Sequence, residues 1–194
     1  MKRQTISTEW WLALAFYWLL GPSYACAQSP RSTKTTTMTA PKKNNPIYNR
    51  EDTGKVDLPD EEWKNYLSPE QFYIARQKGT ERPWTSRFEH FTEIGTYYCA
   101  ACGNPLFRSS AKYESGCGWP SFFEPIAKGS ILYTPDRSHG MSRTETQCSR
   151  CKAHLGHVFE DGPPPTGLRY CINGVVLDFE KAREAEKKFN EKNK

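Results

Sequence analysis

Near its carboxyl end the chain reads Arg169-Tyr170-Cys171-Ile172-Asn173, a thiol set between a guanidinium and an amide. In an extended strand alternate side chains share a face, so Arg169, Cys171 and Asn173 would line one side. Tyr170 and Ile172, followed by Val176, would then point into a core. A guanidinium nearby favours thiolate, the nucleophilic form of cysteine. The competing reading is a buried structural cysteine, since cysteine is among the most buried residue types.

Four more cysteines form two C-x-x-C pairs, Cys99-Ala100-Ala101-Cys102-Gly103 and Cys148-Ser149-Arg150-Cys151, with 45 residues between them. Each pair closes a strand-like run and opens a turn. Two such tips brought together would offer four thiolates in tetrahedral array, a closed structural zinc site. Disulfides or a redox dithiol compete with this reading, but a thioredoxin-like motif opens a helix and neither pair does. Cys117 lies in Ser115-Gly116-Cys117-Gly118-Trp119-Pro120-Ser121-Phe122, where flanking glycines predict a mobile loop. A loop thiol suits a resolving role against an oxidised partner, or is incidental. His154-Leu155-Gly156-His157-Val158-Phe159 adds two imidazoles whose spacing of three suits a turn. They either deliver a proton near neutral pH or are packed structural histidines.

The elements that must position these groups begin with a helical stretch over residues 59–79. Pro59-Asp60-Glu61-Glu62 opens one helix, Ser68-Pro69-Glu70-Gln71 opens a second as a capping box, and Gly79 closes it. Beyond it, short aromatic and β-branched runs at 95–98, 130–133, 144–147 and 170–179 alternate with Gly/Pro/Ser clusters. That pattern predicts a small antiparallel β domain over residues 59–179. The chain has 194 residues, of which 37% are hydrophobic, and its mean hydropathy is −0.78. The polar excess sits at the ends, leaving one domain with a core and appendages.

Met1-Lys2-Arg3, an apolar run over residues 10–20 and Ala25-Cys26-Ala27 have the form of an export signal cleaved after Ala27. An uncleaved anchor is the alternative, though the run is short for a membrane span; lipidation of Cys26 is another. Residues 28–58, rich in Ser, Thr, Lys, Pro and Asn, read as a disordered spacer, and residues 180–194 as a charged helical tail. The net charge is +5, and only one of those charges belongs to residues 59–194. A nearly neutral domain offers no nucleic-acid surface.

Taken together, SGCGWPSF, HLGHVF, the DG-PPPTG-LRYCIN stretch and the two C-x-x-C pairs resemble the B-type methionine-R-sulfoxide reductases, from about residue 61 to 179. The resemblance implies two small antiparallel sheets with a helical N-terminal arm, and repair of the R epimer of methionine sulfoxide in peptides. It implies Cys171 as the nucleophile that becomes a sulfenic acid, and Cys117 as the resolving cysteine that condenses with it into a disulfide. A thioredoxin-type donor would then reduce that disulfide. It implies Trp119, with Phe159 suited to join it, as the wall for the substrate methyl group. His154, His157 and Asn173 would bind or protonate the sulfoxide oxygen, Arg169 would support the thiolate, and Asp161 would orient the network. Zinc would be structural, bound by Cys99, Cys102, Cys148 and Cys151. The export signal adds the expectation of a periplasmic monomer, with oxidised proteins as substrates and no stable membrane association after cleavage.

Overall fold

A computed structural model describes residues 44–184. The export segment, Cys26, the first part of the spacer and most of the tail lie outside the described residues. Helix α1 (Asp60–Tyr66) carries three acids in its first turn, which suit the helix dipole. Helix α2 (Pro69–Gln77) opens with the expected capping box. The Gln71 amide donates to Ser68 Oγ (3.1 Å) and the Ser68 amide to Gln71 Oε1 (3.2 Å). The left-handed residue that ends α2 is Lys78 (φ 58°), one position before the glycine expected there. Arg76 lies over the buried Trp63 ring and donates to the Cys151 carbonyl (2.8 Å), tying the helical arm to the second cysteine pair.

The strands are β1 (Gly95–Cys99), β2 (Pro105–Arg108), β3 (Lys112–Tyr113), β4 (Ser121–Phe122), β5 (Ile131–Asp136), β6 (Arg143–Cys148), β7 (His154–Phe159), β8 (Arg169–Ile172) and β9 (Leu177–Lys181). Among the described residues they form two antiparallel sheets, ordered β2-β1-β9 and β3-β4-β8-β7-β6-β5. The fold is therefore mainly β with a helical arm, as the motifs implied. The run over 170–179 is not one strand. A 3-10 turn at Gly174–Val176 splits it, sending β8 and β9 to different sheets.

Aromatic side chains join the sheets. Phe122 and Tyr170, paired across β4 and β8, face Phe107 of β2 and Tyr97 of β1. Phe107 stacks on Phe122 at 4.3 Å between ring centroids, and Tyr97 meets Phe122 edge-on at 5.0 Å. Such geometries suit the ring quadrupole and add to area burial. The opposite face of β4 and β8 is thereby freed for the polar residues that alternate with these rings.

Residues 44–58 correct one expectation. They are not a free spacer but run along the cysteine pairs, with Ile47, Val56 and Leu58 packed on the core. The buried Arg150 guanidinium holds them, donating to the carbonyls of Asn49, Gly54 and Cys102 and pairing with Asp52 (2.6 Å). Arg50 pairs with Asp178 (2.9 Å) and Glu180 (3.0 Å). Low hydrophobicity hid this segment because backbone and ion-pair contacts dominate its attachment. At the other end, β9 reaches Lys181 and buries Glu180, so the domain runs two residues past its expected end.

Candidate active site and metal centre

The two C-x-x-C pairs are local copies of one turn. The amides of Cys99 and Cys148 donate to the carbonyls of Asn104 and Ala153, and the Cys99 and Cys148 carbonyls accept from Gly103 and Lys152. Gly103 (φ 83°) and Lys152 (φ 59°) take the same left-handed position in each. This brings Cys99 Sγ to 3.8 Å from Cys151 Sγ and Cys102 Sγ to 3.6 Å from Cys148 Sγ. All four sulfurs are buried and lie within 4.8 Å of one another. A tetrahedron with metal–sulfur bonds of about 2.3 Å has edges of about 3.8 Å, so the cluster has the size a bound metal ion needs. As thiolates, four sulfurs this close would repel one another unless a cation lay between them.

The remaining cysteines meet elsewhere. Cys171 is on β8 and Cys117 on the loop between β3 and β4, with their sulfurs 3.6 Å apart. The loop turns at Gly116 (φ 71°) and Gly118 (φ 90°), and a side chain at Gly118 would meet Pro83 at 2.7 Å. The Trp84 amide donates to the Gly118 carbonyl (2.7 Å) and Trp119 Nε1 to the Glu81 carbonyl (3.1 Å), so the segment after α2 pins this loop. Strand parity holds: Tyr170 and Ile172 are buried, while Arg169 and Cys171 are half-buried on the other face. Register then places Ser121 of β4, Cys171 of β8, His157 of β7 and Glu145 of β6 side by side across the sheet.

The two histidines do not sit in a turn. They lie on β7, where a bulge at Leu155 sets two steps of β7 against one of β6. One extra residue moves His154 onto the face of His157, with ring centroids 5.5 Å apart. His154 Nδ1 is 2.7 Å from Glu145 Oε1, whose other oxygen accepts from Lys78 (2.7 Å). Burial lowers the His154 pKa, with Glu145 opposing it. His157 Nε2 is 2.7 Å from Asp136 Oδ2. Burial raises the Glu145 pKa, but hydrogen bonds from Lys78, Gln147 and His154 outweigh it and hold the carboxyl below the usual range. Asp136, hydrogen-bonded by Ser138 and His157, is also held low. Sequence reasoning missed both carboxylates, although a charged residue inside the strand-like run over 144–147 was a signal.

Asp161 holds Arg169 by two hydrogen bonds of 2.8 Å, and the guanidinium lies 4.4 Å from the Phe159 ring centre. Arg169, Asp161 and Cys117 line one cleft with Tyr113 and Glu114. Two expectations change here. Asn173 is buried, and both ends of its amide are committed to backbone. Its oxygen accepts from the Glu81 amide (3.0 Å) and its nitrogen donates to the Leu155 carbonyl (3.0 Å). It therefore braces the bulge instead of facing a ligand. The Cys171 thiol is not eased toward thiolate. Burial pushes its pKa up to about 12, Cys117 adds to the rise, and Arg169 offsets only part. Cys117 goes the other way: burial raises its pKa, but hydrogen bonds, first from Ser115 and Ser121 and then at the Trp119 backbone and Cys171, together outweigh it.

This arrangement defines a thiol-chemistry protein: two facing cysteines beside histidine–carboxylate pairs, on a β scaffold clasped by a four-cysteine cluster. The model of the SelR domain matches residues 67–181. The chain belongs to that family, the B-type methionine-R-sulfoxide reductases. It is 58% identical over 125 residues to the "Peptide methionine sulfoxide reductase MsrB" of Pseudomonas putida (strain W619), covering 64% of this chain and 94% of that protein. The protein of the same name from Agrobacterium fabrum is 56% identical over 126 residues, 65% of this chain and 93% of that one. That from Leptospira interrogans is 57% identical over 127 residues, 66% of this chain and 97% of its own length.

Proposed function

We propose that this protein reduces the R epimer of methionine sulfoxide in oxidised proteins and peptides, with Cys171 as nucleophile and Cys117 as resolving cysteine. The observation that carries the reading is the 3.6 Å approach of the two sulfurs in a SelR domain, with His157 directly across from Cys171 on the adjoining strand. A thiol whose pKa is raised must lose its proton as it attacks. His157 takes that proton and delivers it to the sulfoxide oxygen, a poor leaving group until protonated. Cys171 attacks the sulfoxide sulfur; as that S–S link and the substrate S–O bond break, the protonated oxygen passes to the Cys171 sulfur, so methionine leaves and Cys171 becomes a sulfenic acid. Cys117 displaces water from it to form a disulfide, which a thioredoxin-type dithiol reduces. Trp119 and Phe159 wall the methyl group, Arg169 held by Asp161 favours charge on the sulfurs, and His154 held by Glu145 orders the oxygen side. Zinc in the Cys99–Cys102–Cys148–Cys151 cluster would clasp the two turns together and take no part in redox chemistry.

The test is methionine release from both epimers by wild type, Cys171→Ser and Cys117→Ser. The R epimer alone should turn over, and Cys171→Ser should release nothing. Cys117→Ser should release about one equivalent per chain and then stop with a thioredoxin-type donor, as a missing resolving thiol requires. Turnover surviving in Cys171→Ser would overturn the assignment. Residues 1–27 motivate export to a periplasm, where the protein acts as a monomer with a dedicated thiol carrier as reductant. A reporter fused to residues 1–30 should be exported; cytosolic retention would refute this.

A further inference from the structure

Cys117 is cradled by two hydroxyls. Ser115 Oγ lies 2.9 Å from its sulfur and 2.7 Å from Ser121 Oγ, which is 3.5 Å from the same sulfur. Ser121 is 1% exposed and pairs with Cys171 across β4 and β8. The hydroxyl pair therefore joins the loop bearing one sulfur to the strand beside the other. With Cys117 ionised, Ser121 donates to Ser115 and Ser115 donates to the thiolate. With Cys117 protonated, Ser121 donates instead to the Trp119 carbonyl (3.1 Å), which the thiol also faces at 3.8 Å. Hydroxyl donors favour the charged form of the group they serve.

Other charged or titratable groups face the same sulfur: Cys171 and Arg169 from β8, Asp161 from the loop before it, Tyr113 from β3, and Glu114 beyond it. Arg169 acts on both sulfurs, and Asp161 pairs with its guanidinium. The hydroxyls bond Cys117, and Cys171 is served by none of the hydroxyl bonds described above.

We propose that Ser115 and Ser121 are positioning residues that hold Cys117 over Cys171 and stabilise it as the attacking thiolate of the disulfide-forming step. This rests on the two-cysteine reading above. In that step the Cys117 sulfur bonds to the Cys171 sulfur, and the S–O bond of the sulfenic acid breaks. The leaving hydroxide takes up the proton that Cys117 gave up, so water departs. Cys117 is oxidised and Cys171 reduced by equal amounts.

The test follows Cys117 alkylation by iodoacetamide against pH in the metal-loaded Cys171→Ser protein, read by peptide mass. Ser115→Ala should raise the alkylation midpoint by about one to two pH units, the size of a lost hydrogen bond to a charged group, and Ser121→Ala, which supports Ser115, should raise it by less. Ser115→Thr should restore it. Unchanged midpoints in both alanine variants, or a Ser115→Thr midpoint as high as that of Ser115→Ala, would overturn the proposal. If Ser121→Ala fails to fold, Ser115→Ala and Ser115→Thr, in the loop, decide alone. Absence of R-epimer turnover by wild type would remove the functional reading yet leave these midpoints to judge the hydroxyl pair.

Discussion

Cys171 and Cys117 face each other, yet their surroundings push their thiols in opposite directions. Burial against β7 raises one, and serine hydroxyls lower the other. His154 shows the same competition between burial and partners. Its pKa is depressed, first by burial, despite the carboxylate at 2.7 Å. A depressed folded-state pKa means that the unfolded chain binds the proton more readily. Its contribution to stability is therefore full above the unfolded histidine value of about 6.5 and is lost as pH falls below that toward the folded value. Urea midpoints should drop over this interval, and His154→Gln should flatten the drop; an equal slope in both proteins would count against it. At this scale the sequence was half legible. Strand parity marked Cys171 and Arg169 correctly, but the Asn173 amide turned to backbone because the chain bends into the 174–176 turn at that point.

At the scale of elements, the β7 bulge sets the geometry of the site. Its extra residue at Leu155 converts a spacing of three into two imidazoles on one face, and Asn173 caps the Leu155 carbonyl from amide and side chain. Gly156 lets β7 come close to β8: a Cβ there would lie 2.0 Å from the Cys171 carbonyl oxygen. Backbone cannot yield as a flexible side chain can. Gly156→Ala should cost about 3 kcal/mol or more in denaturant unfolding, as overpacking against rigid neighbours does. It should also slow methionine release by displacing His157 from Cys171. A variant of wild-type stability and rate would show that the close approach is not needed. The bulge was hidden from strand periodicity because periodicity assumes equal steps on both partners.

At the scale of the whole molecule, the cysteine cluster joins parts distant in sequence: β1, the turn after β6, α2 through Arg76, and residues 44–58 through Arg150. Removing the metal that this cluster would hold should loosen all of them together. Treatment with a strong chelator and reductant should lower the thermal midpoint by at least about 10 °C, since each kcal/mol moves a domain of this size by several degrees. Metal analysis should give one zinc per chain before treatment. An unaltered midpoint after complete metal loss would refute a structural role.

What the sequence determined by itself was whatever depends on local spacing: the capping box at Ser68 and Gln71, the two C-x-x-C turns, the alternation that sends Tyr170 inward and Cys171 outward, and the motifs that carry the family. What only the tertiary structure decided depends on partners far along the chain. Glu145 and Asp136 reached the histidines because β6 lies beside β7 and β5 beside β6. Ser121 reached Cys171 because β4 pairs with β8. Residues 44–58 became part of the domain because Arg150 offered buried donors to their carbonyls. Burial and hydrogen bonding, which set the protonation of each sulfur, come into being only when these elements meet.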